Sequence, residues 1–345
     1  GPKTGVSATF LATRTLSVVN RSGAGTVSLS SVTGQALSCP SGSTTCQVPA
    51  NTEVLITVMP SNGYEVGAWT GCLATGVANQ CKLTVSQNVS VTIPYRVRLS
   101  VSTVENQALV SSASGVNCSS AGDAVCSLMV LADATVTLTV VPKEGFGIQS
   151  WSGCTPVTNN PSNCTIKLDQ PKSLNFVYGP VLRIGAVSNG SITTNESSGG
   201  INCGVSSSGA SLTSCTSVRA LGSNVTLKAV PKTGYGFSSW SNCDSKTDSC
   251  SVSMDRPRDN ISAVFEPLVP LTASLETAGG RISFSGVGVS CTPLEAAGTK
   301  VCNVPKNTLV RLAVTAGNGY ESVPWGSDCT LVSGVSNECE VLVDT

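Results

Sequence analysis

Residues 225–243 read VTLKAVPKTGYGFSSWSNC, and the chain carries this construction three more times. The other copies are VLITVMPSNGYEVGAWTGC (54–72), VTLTVVPKEGFGIQSWSGC (136–154) and VRLAVTAGNGYESVPWGSDC (310–329). In each, the tryptophan follows the first valine by 15 residues: Val54 to Trp69, Val136 to Trp151, Val225 to Trp240 and Val310 to Trp325. Self-similarity at a fixed period defines a tandem array, and it overrides a domain count guessed from length. Successive tryptophans are 82–89 residues apart, which sets the repeat length. The expected repeats are 1–95, 96–178, 179–265 and 266–345. Gly1-Pro2 reads as a protease-cleavage remnant and is left out of fold reasoning.

A unit this small buries only about 60% of its unfolded surface and is marginal without reinforcement. Sixteen cysteines supply it, four to a repeat. They are Cys39, Cys46, Cys72 and Cys81; Cys118, Cys126, Cys154 and Cys164; Cys203, Cys215, Cys243 and Cys250; Cys291, Cys302, Cys329 and Cys339. An even, repeat-locked count reads as a disulfide framework made in an oxidising compartment, outside the cell or at its surface. Four cysteines allow three pairings. The expected one is local and sequential, Cys39–Cys46, Cys72–Cys81 and so on, because each such pair brackets a loop bounded by strand signals. Zinc ligation is disfavoured: zinc pairs sit two to four residues apart, whereas 6 to 11 residues separate these, and the chain has no histidine. No metal or other cofactor is expected.

The order of elements recurs as well. Each repeat opens with a hairpin-like segment, from Leu16, Leu99, Leu182 and Leu271, in which apolar alternation flanks a polar or Gly-containing break. A Cys-bracketed loop follows, then the strand before the tryptophan. In that strand Val136, Leu138 and Val140 face one way and Thr137 and Thr139 the other, giving one buried and one wet face. The following turn contains Gly63, Gly145, Gly234 or Gly319, where a positive φ is wanted. A second Cys loop leads to a closing string: VTIPY (91–95), LNFVY (174–178) or ISAVF (261–265). No helical period is sustained anywhere. The fold class is therefore all-β: four tandem, disulfide-stapled modules in an elongated array. Compact units of this size are about 30 Å across, so four end to end span roughly 120–150 Å.

VSATF, from Val6 to Phe10, is a closing-type string with no repeat before it, and the fourth repeat ends without one. The natural chain is expected to extend past both ends. Two partitions are open. Each closing strand joins the sheet of its own repeat, or it joins the sheet of the next, with modules starting near Val6, Val91, Leu174 and Ile261. The second gives the tidier count and is preferred.

Composition excludes several function classes. There are 20 basic and 20 acidic residues and no basic patch, so nucleic acid is not an expected partner. No apolar run approaches the roughly 18 residues needed to span a membrane. Absence of histidine removes Ser-His and Cys-His nucleophiles. The acidic residues do not recur at one position, so no glycosidase-like carboxylate pair is repeated. Residues 244–259 (DSKTDSCSVSMDRPRD) hold four Asp but lack the spacing of a calcium loop, and read as a solvated loop. The tryptophans Trp69, Trp151, Trp240 and Trp325 sit at a fixed distance from a core strand, so they read as core aromatics rather than glycan-stacking platforms. Tyr64, Phe146, Tyr235 and Tyr320 are expected to pack near them.

The combination Gly234-Tyr235, Phe237, Trp240-Ser241, Cys243, Cys250, Val252, Met254-Asp255, Ala263 and Phe265 resembles the divergent internalin B-repeat-like family, modules found in tandem in large secreted and surface proteins of bacteria. The match spans nearly the whole chain. The fourth copy departs most, with Pro324 before Trp325 and an extra residue between Trp325 and Cys329. The resemblance implies an all-β, β-grasp-like module in a surface spacer or adhesin, with no catalytic residues to transfer. The function expected is a non-catalytic extracellular stalk or adhesive segment. The alternatives are a glycan- or protein-binding array, with specificity in the unlike Cys loops (156–162, 206–213), or an ancillary region of a secreted enzyme. The partners implied are a host or environmental glycan or protein, and other domains of a longer chain.

Overall fold

The computed structural model describes residues 5, 10–102, 108–111, 117–118, 125–196, 199–321 and 325–344, and side chains between 103 and 125 are not among those described. Residues 6–9 of the first closing-type string lie outside that set. The described residues form strands, turns and irregular segments without a helix. The chain divides into two compact units, Gly1–Lys143 with Ser150–Val177, and Glu144–Gln149 with Tyr178–Thr345.

In the first unit, the opening strand Thr13–Val19 pairs antiparallel with Thr45–Pro49 and parallel with Val89–Thr92. A second sheet has the order Gly25–Ser31, Thr52–Pro60, Gln80–Val85, Leu73–Ala74. The two sheets bury their apolar faces together. Leu16, Val18 and Val48 come from one, and Val54, Ile56, Val58, Cys81 and Val85 from the other, with Val91, Ile93 and Tyr95 completing the core. The strict alternation in Thr52–Pro60 is the period-two pattern of a half-buried strand. The next repeat repeats the plan. Tyr95–Ser102 pairs antiparallel with Val125–Leu131, and parallel through 99–102 with 172–175. Thr135–Pro142 is the centre of its second sheet, with Val136, Leu138 and Val140 buried.

In the second unit, residues 181–183 of Lys172–Ile184 pair antiparallel with Thr216–Val218, while Leu182 and Ile184 run parallel to Arg258 and Ile261. The second sheet of this repeat has Asn224–Pro231 between Gly190–Thr193 and Ser249–Ser253. One core of sixteen buried residues joins the two layers, centred on Leu227, Met254, Ile261 and Phe265. The long strand Arg258–Leu275 closes this repeat and, without a break, opens the next, where 268–275 pairs with Gly298–Pro305. The last repeat's second sheet runs Gly280–Ser285, Thr308–Ala316, Glu338–Val343, Thr330–Leu331. Among the described residues, no strand lies parallel to 268–275.

This pairing corrects the preferred partition. Closing residues 89–92, 172–175 and 258–261 each pair in parallel with the opening strand of their own repeat. The reason is burial. Val91, Leu174 and Ile261 complete the core under their own opening strands, and moving them to the next sheet would uncover both.

The turn before each module's long strand also recurs. Asn51, Asp133, Gly222 and Asn307 all have positive φ, and each backbone N–H donates to a carbonyl at or just past the end of the strand that neighbours the long one: Val85, Leu168, Met254 and Val343 at 2.6–2.9 Å. Asn, Asp and Gly are the residues that enter this conformation at least penalty.

Candidate functional site

The recurrent tryptophan hairpin is the feature from which any site must be built. Its turn glycines have φ of 83, 79, 86 and 85° at Gly63, Gly145, Gly234 and Gly319. Three of their carbonyls face the chain entering the next opening strand. Gly63 accepts from Arg98 N–H at 2.8 Å, Gly145 from Val181 at 2.8 Å and Gly234 from Leu268 at 2.9 Å.

The tryptophans occupy different surroundings. Trp240 is buried, with its ring centroid 5.7 Å from that of Phe237, which in turn meets Phe265 edge-on. Its indole N–H donates to the Thr247 carbonyl at 2.9 Å. Trp151 is half-buried, 5.5 Å from Phe176, and donates to the Pro161 carbonyl at 2.8 Å. In both, the indole holds a carbonyl inside the Cys loop that follows it, so it acts as a strut under that loop. Trp69 and Trp325 are half-buried against the cores of the first and last repeats. The neighbouring rings pair with the closing aromatics in the earlier repeats, Tyr64 with Tyr95 at 6.0 Å and Phe146 with Tyr178 at 5.8 Å. Tyr320 makes no such pair among the described residues and is 58% exposed.

The structure joins Cys39 to Cys46, Cys72 to Cys81, Cys154 to Cys164, Cys203 to Cys215, Cys243 to Cys250, Cys291 to Cys302 and Cys329 to Cys339, across Cα separations of 4.3–6.4 Å. The remaining expected pair, Cys118–Cys126, falls outside the described residues because the Cys118 side chain is not among them. The residue before the first cysteine of each second loop is in the left-handed region in three copies: Gly71, Gly153 and Asn242. The Gly or Asn that precedes Cys in WTGC, WSGC and WSNC is thus a backbone requirement.

Acidic groups are scattered and mostly partnered. In the segment 244–259, Asp255 meets Arg258 at 3.0 Å and Asp259 meets Arg183 at 3.2 Å. Among the described residues no three His, Cys, Asp or Glu side chains come together as a metal site. Arg21 donates to the Asp133 carboxylate and to the Asp169 carbonyl, and the bond to Asp133 raises its already high pKa.

One depression combines apolar and charged groups. In the last repeat, Tyr320, Trp325, Ile282, Glu276, Glu321 and Gly279 line a hollow of about 580 Å³. Two rings beside two carboxylates suit a stacked sugar or an organic cation. The expected specificity loops 156–162 and 206–213 are not part of it. The signal for it was present in the sequence as the fourth copy's departures, Pro324 and the extra residue after Trp325. What made those departures matter, an exposed Tyr320 beside a half-buried Trp325, was not.

The Divergent InlB B-repeat domain family matches residues 16–97, 113–182 and 180–268, more than half of the chain. The chain belongs to this family of tandem repeats. Residues after 268 lie outside the matched segments. No curated protein matches. Among solved structures, the pilus adhesin SpaC from Lactobacillus rhamnosus GG aligns over 97% of this chain and 51% of its own, at 9% identity and a TM-score of 0.24. The chain thus spans about half the length of that adhesin. No helix among the described residues is long and apolar enough to cross a membrane.

Proposed function

We propose that the chain is a non-catalytic repeat segment of an exported bacterial surface or secreted protein, acting as a stalk, spacer or adhesive region in an oxidising environment. The repeats are proposed at 1–95, 96–178, 179–265 and 266–345, with the sixteen cysteines paired locally and the tryptophans serving each module's interior. The observation that carries this reading is the strand Arg258–Leu275, which closes one module and opens the next with no linker between them. Modules fused through a shared strand transmit position and tension; modules evolved mainly to bind as separate beads have no need of it. Family membership supports the same context. Small-angle scattering tests it: an array should have a maximum dimension of roughly 120–150 Å, and a particle near 70 Å would rule out the stalk.

The hollow at Tyr320 and Trp325 favours a second reading, in which the last repeat also binds a glycan. Titration with a glycan library, read by tryptophan fluorescence, should then show binding that Tyr320→Ala removes. A flat response across the library would leave only the spacer reading.

A further inference from the structure

The strand pairing fixes how tension passes through a repeat. In the first three repeats the chain enters on the opening strand and leaves on the closing strand, and these two strands are parallel neighbours. The registers are Leu16 with Val89 through Val19 with Thr92, Leu99 with Lys172 through Ser102 with Asn175, and a shorter third ladder, Leu182 with Arg258 and Ile184 with Ile261, with a register shift between the two. In a parallel pair, like ends lie together and the bonds are evenly spaced along the strands. Tension on the leading end of one strand and the trailing end of the other therefore slides them past each other. All the bonds between them bear the load at once. Tension on two like ends would open the same bonds one at a time.

Other contacts reinforce these ladders. Thr15 N–H donates to Asn88 Oδ1 at 2.9 Å, extending the first ladder beyond its last backbone pair. Ile93 N–H donates to the Val19 carbonyl at 3.2 Å, and Gly185 N–H to the Ile261 carbonyl at 2.8 Å. Leu16, Val18, Val91, Leu99, Val101, Leu174, Leu182 and Ile261 are buried, so water does not reach the inner side of the ladders to replace a broken bond. Among the described residues no disulfide ties an opening strand to its closing strand. The resistance must come from the ladder.

We propose that each of the first three repeats is a mechanical clamp, a module that resists end-to-end tension through its parallel terminal strands. The last repeat has no counterpart among the described residues, since 268–275 pairs only with Gly298–Pro305. The biological use of the clamp rests on the stalk reading; its mechanics do not.

Single-molecule force spectroscopy on the full chain tests it. One preparation carries handles at the two chain ends, the other at residues 12 and 87, which flank like ends of the first parallel pair. End-to-end pulling should give three ruptures at several-fold higher force than the rupture from the second preparation, and one weaker event from the last repeat. Equal forces in the two directions would overturn the proposal, and so would four equally strong end-to-end events. Both preparations are the same fold pulled two ways, so misfolding cannot mimic the expected result. A compact particle in scattering would sink the stalk reading and leave the clamp standing; equal forces would do the reverse.

Discussion

The third and fourth repeats start from nearly the same sequence plan and reach different interiors. In the third, the closing residues 262–267 pair with Tyr235–Ser241 and bring Phe265 edge-on to Phe237, which in turn packs against Trp240. Its core is a single cluster. In the fourth, the buried residues divide into two smaller clusters. Tyr320 stands exposed instead of packing against a closing aromatic. The difference teaches what the tryptophan motif does and does not encode. It places an aromatic near the core strand, but a strand from elsewhere in the chain must cover that aromatic before it becomes core.

The most forceful way to break this contrast is to remove the rings. Trp240→Ala should destabilise the third repeat by about 3–5 kcal/mol, the usual range for a buried aromatic. Trp325→Ala should destabilise the fourth by only about 1 kcal/mol, nearer the average for all substitutions. Hydrogen exchange resolved by repeat would measure both. Equal losses would mean that the fourth interior is as complete as the third.

Next in size are the disulfides. Replacing Cys243 and Cys250 by serine, or Cys329 and Cys339, opens loops of 7 and 10 residues. On the chain-entropy account each should lose roughly 2–3 kcal/mol, with little difference between repeats. Denaturant titration of the two double variants checks this. A much larger loss in the fourth would show that its staples substitute for missing core. Non-reducing peptide mapping that linked Cys39 to Cys72 or Cys81 would overturn local pairing altogether.

A smaller effect isolates what a following module contributes to a turn. Gly145 and Gly234 have the same left-handed backbone, so an alanine at either is strained by about 1–2 kcal/mol. At Gly145 the added Cβ would also lie 2.6 Å from Pro257, whereas at Gly234 nothing is within 4 Å. Gly145→Ala should therefore lose about 1–3 kcal/mol more than Gly234→Ala. Thermal melts of the two variants would show the gap, and coincident melts would mean that Pro257 yields.

The least effect concerns the closing aromatic. Burial holds the Tyr95 phenol above its ordinary pKa near 10.0, and its hydroxyl donates to Asn20 at 2.9 Å. The folded state keeps this proton more tightly than the unfolded chain does. The stabilisation is complete below the unfolded value and is lost as pH rises through the folded one. The third repeat has Phe265 in the corresponding place and nothing there to titrate. Above pH 10 the first repeat should loosen before the third, and Tyr95→Phe should abolish the difference in repeat-resolved hydrogen exchange.

The strands themselves were legible because their signal is local. Alternation in 136–140 needs only adjacent residues, and Val136, Leu138 and Val140 are buried as that pattern requires. The recurrence of Trp and Cys likewise set the repeat and the all-β class without reference to any partner. What sequence alone could not decide was the placement of the closing strings. VTIPY, LNFVY and ISAVF have the same alternation whichever sheet receives them, so both partitions satisfied the pattern. The choice depends on contacts between residues some seventy positions apart, Val18 with Val91 or Ile184 with Ile261, where one arrangement completes a core and the other opens it. The parallel sense of those pairs, and with it the way a repeat would carry tension, exists only in the folded arrangement, because chain direction in a sheet is set by how the intervening strands pack and not by any residue in the pair.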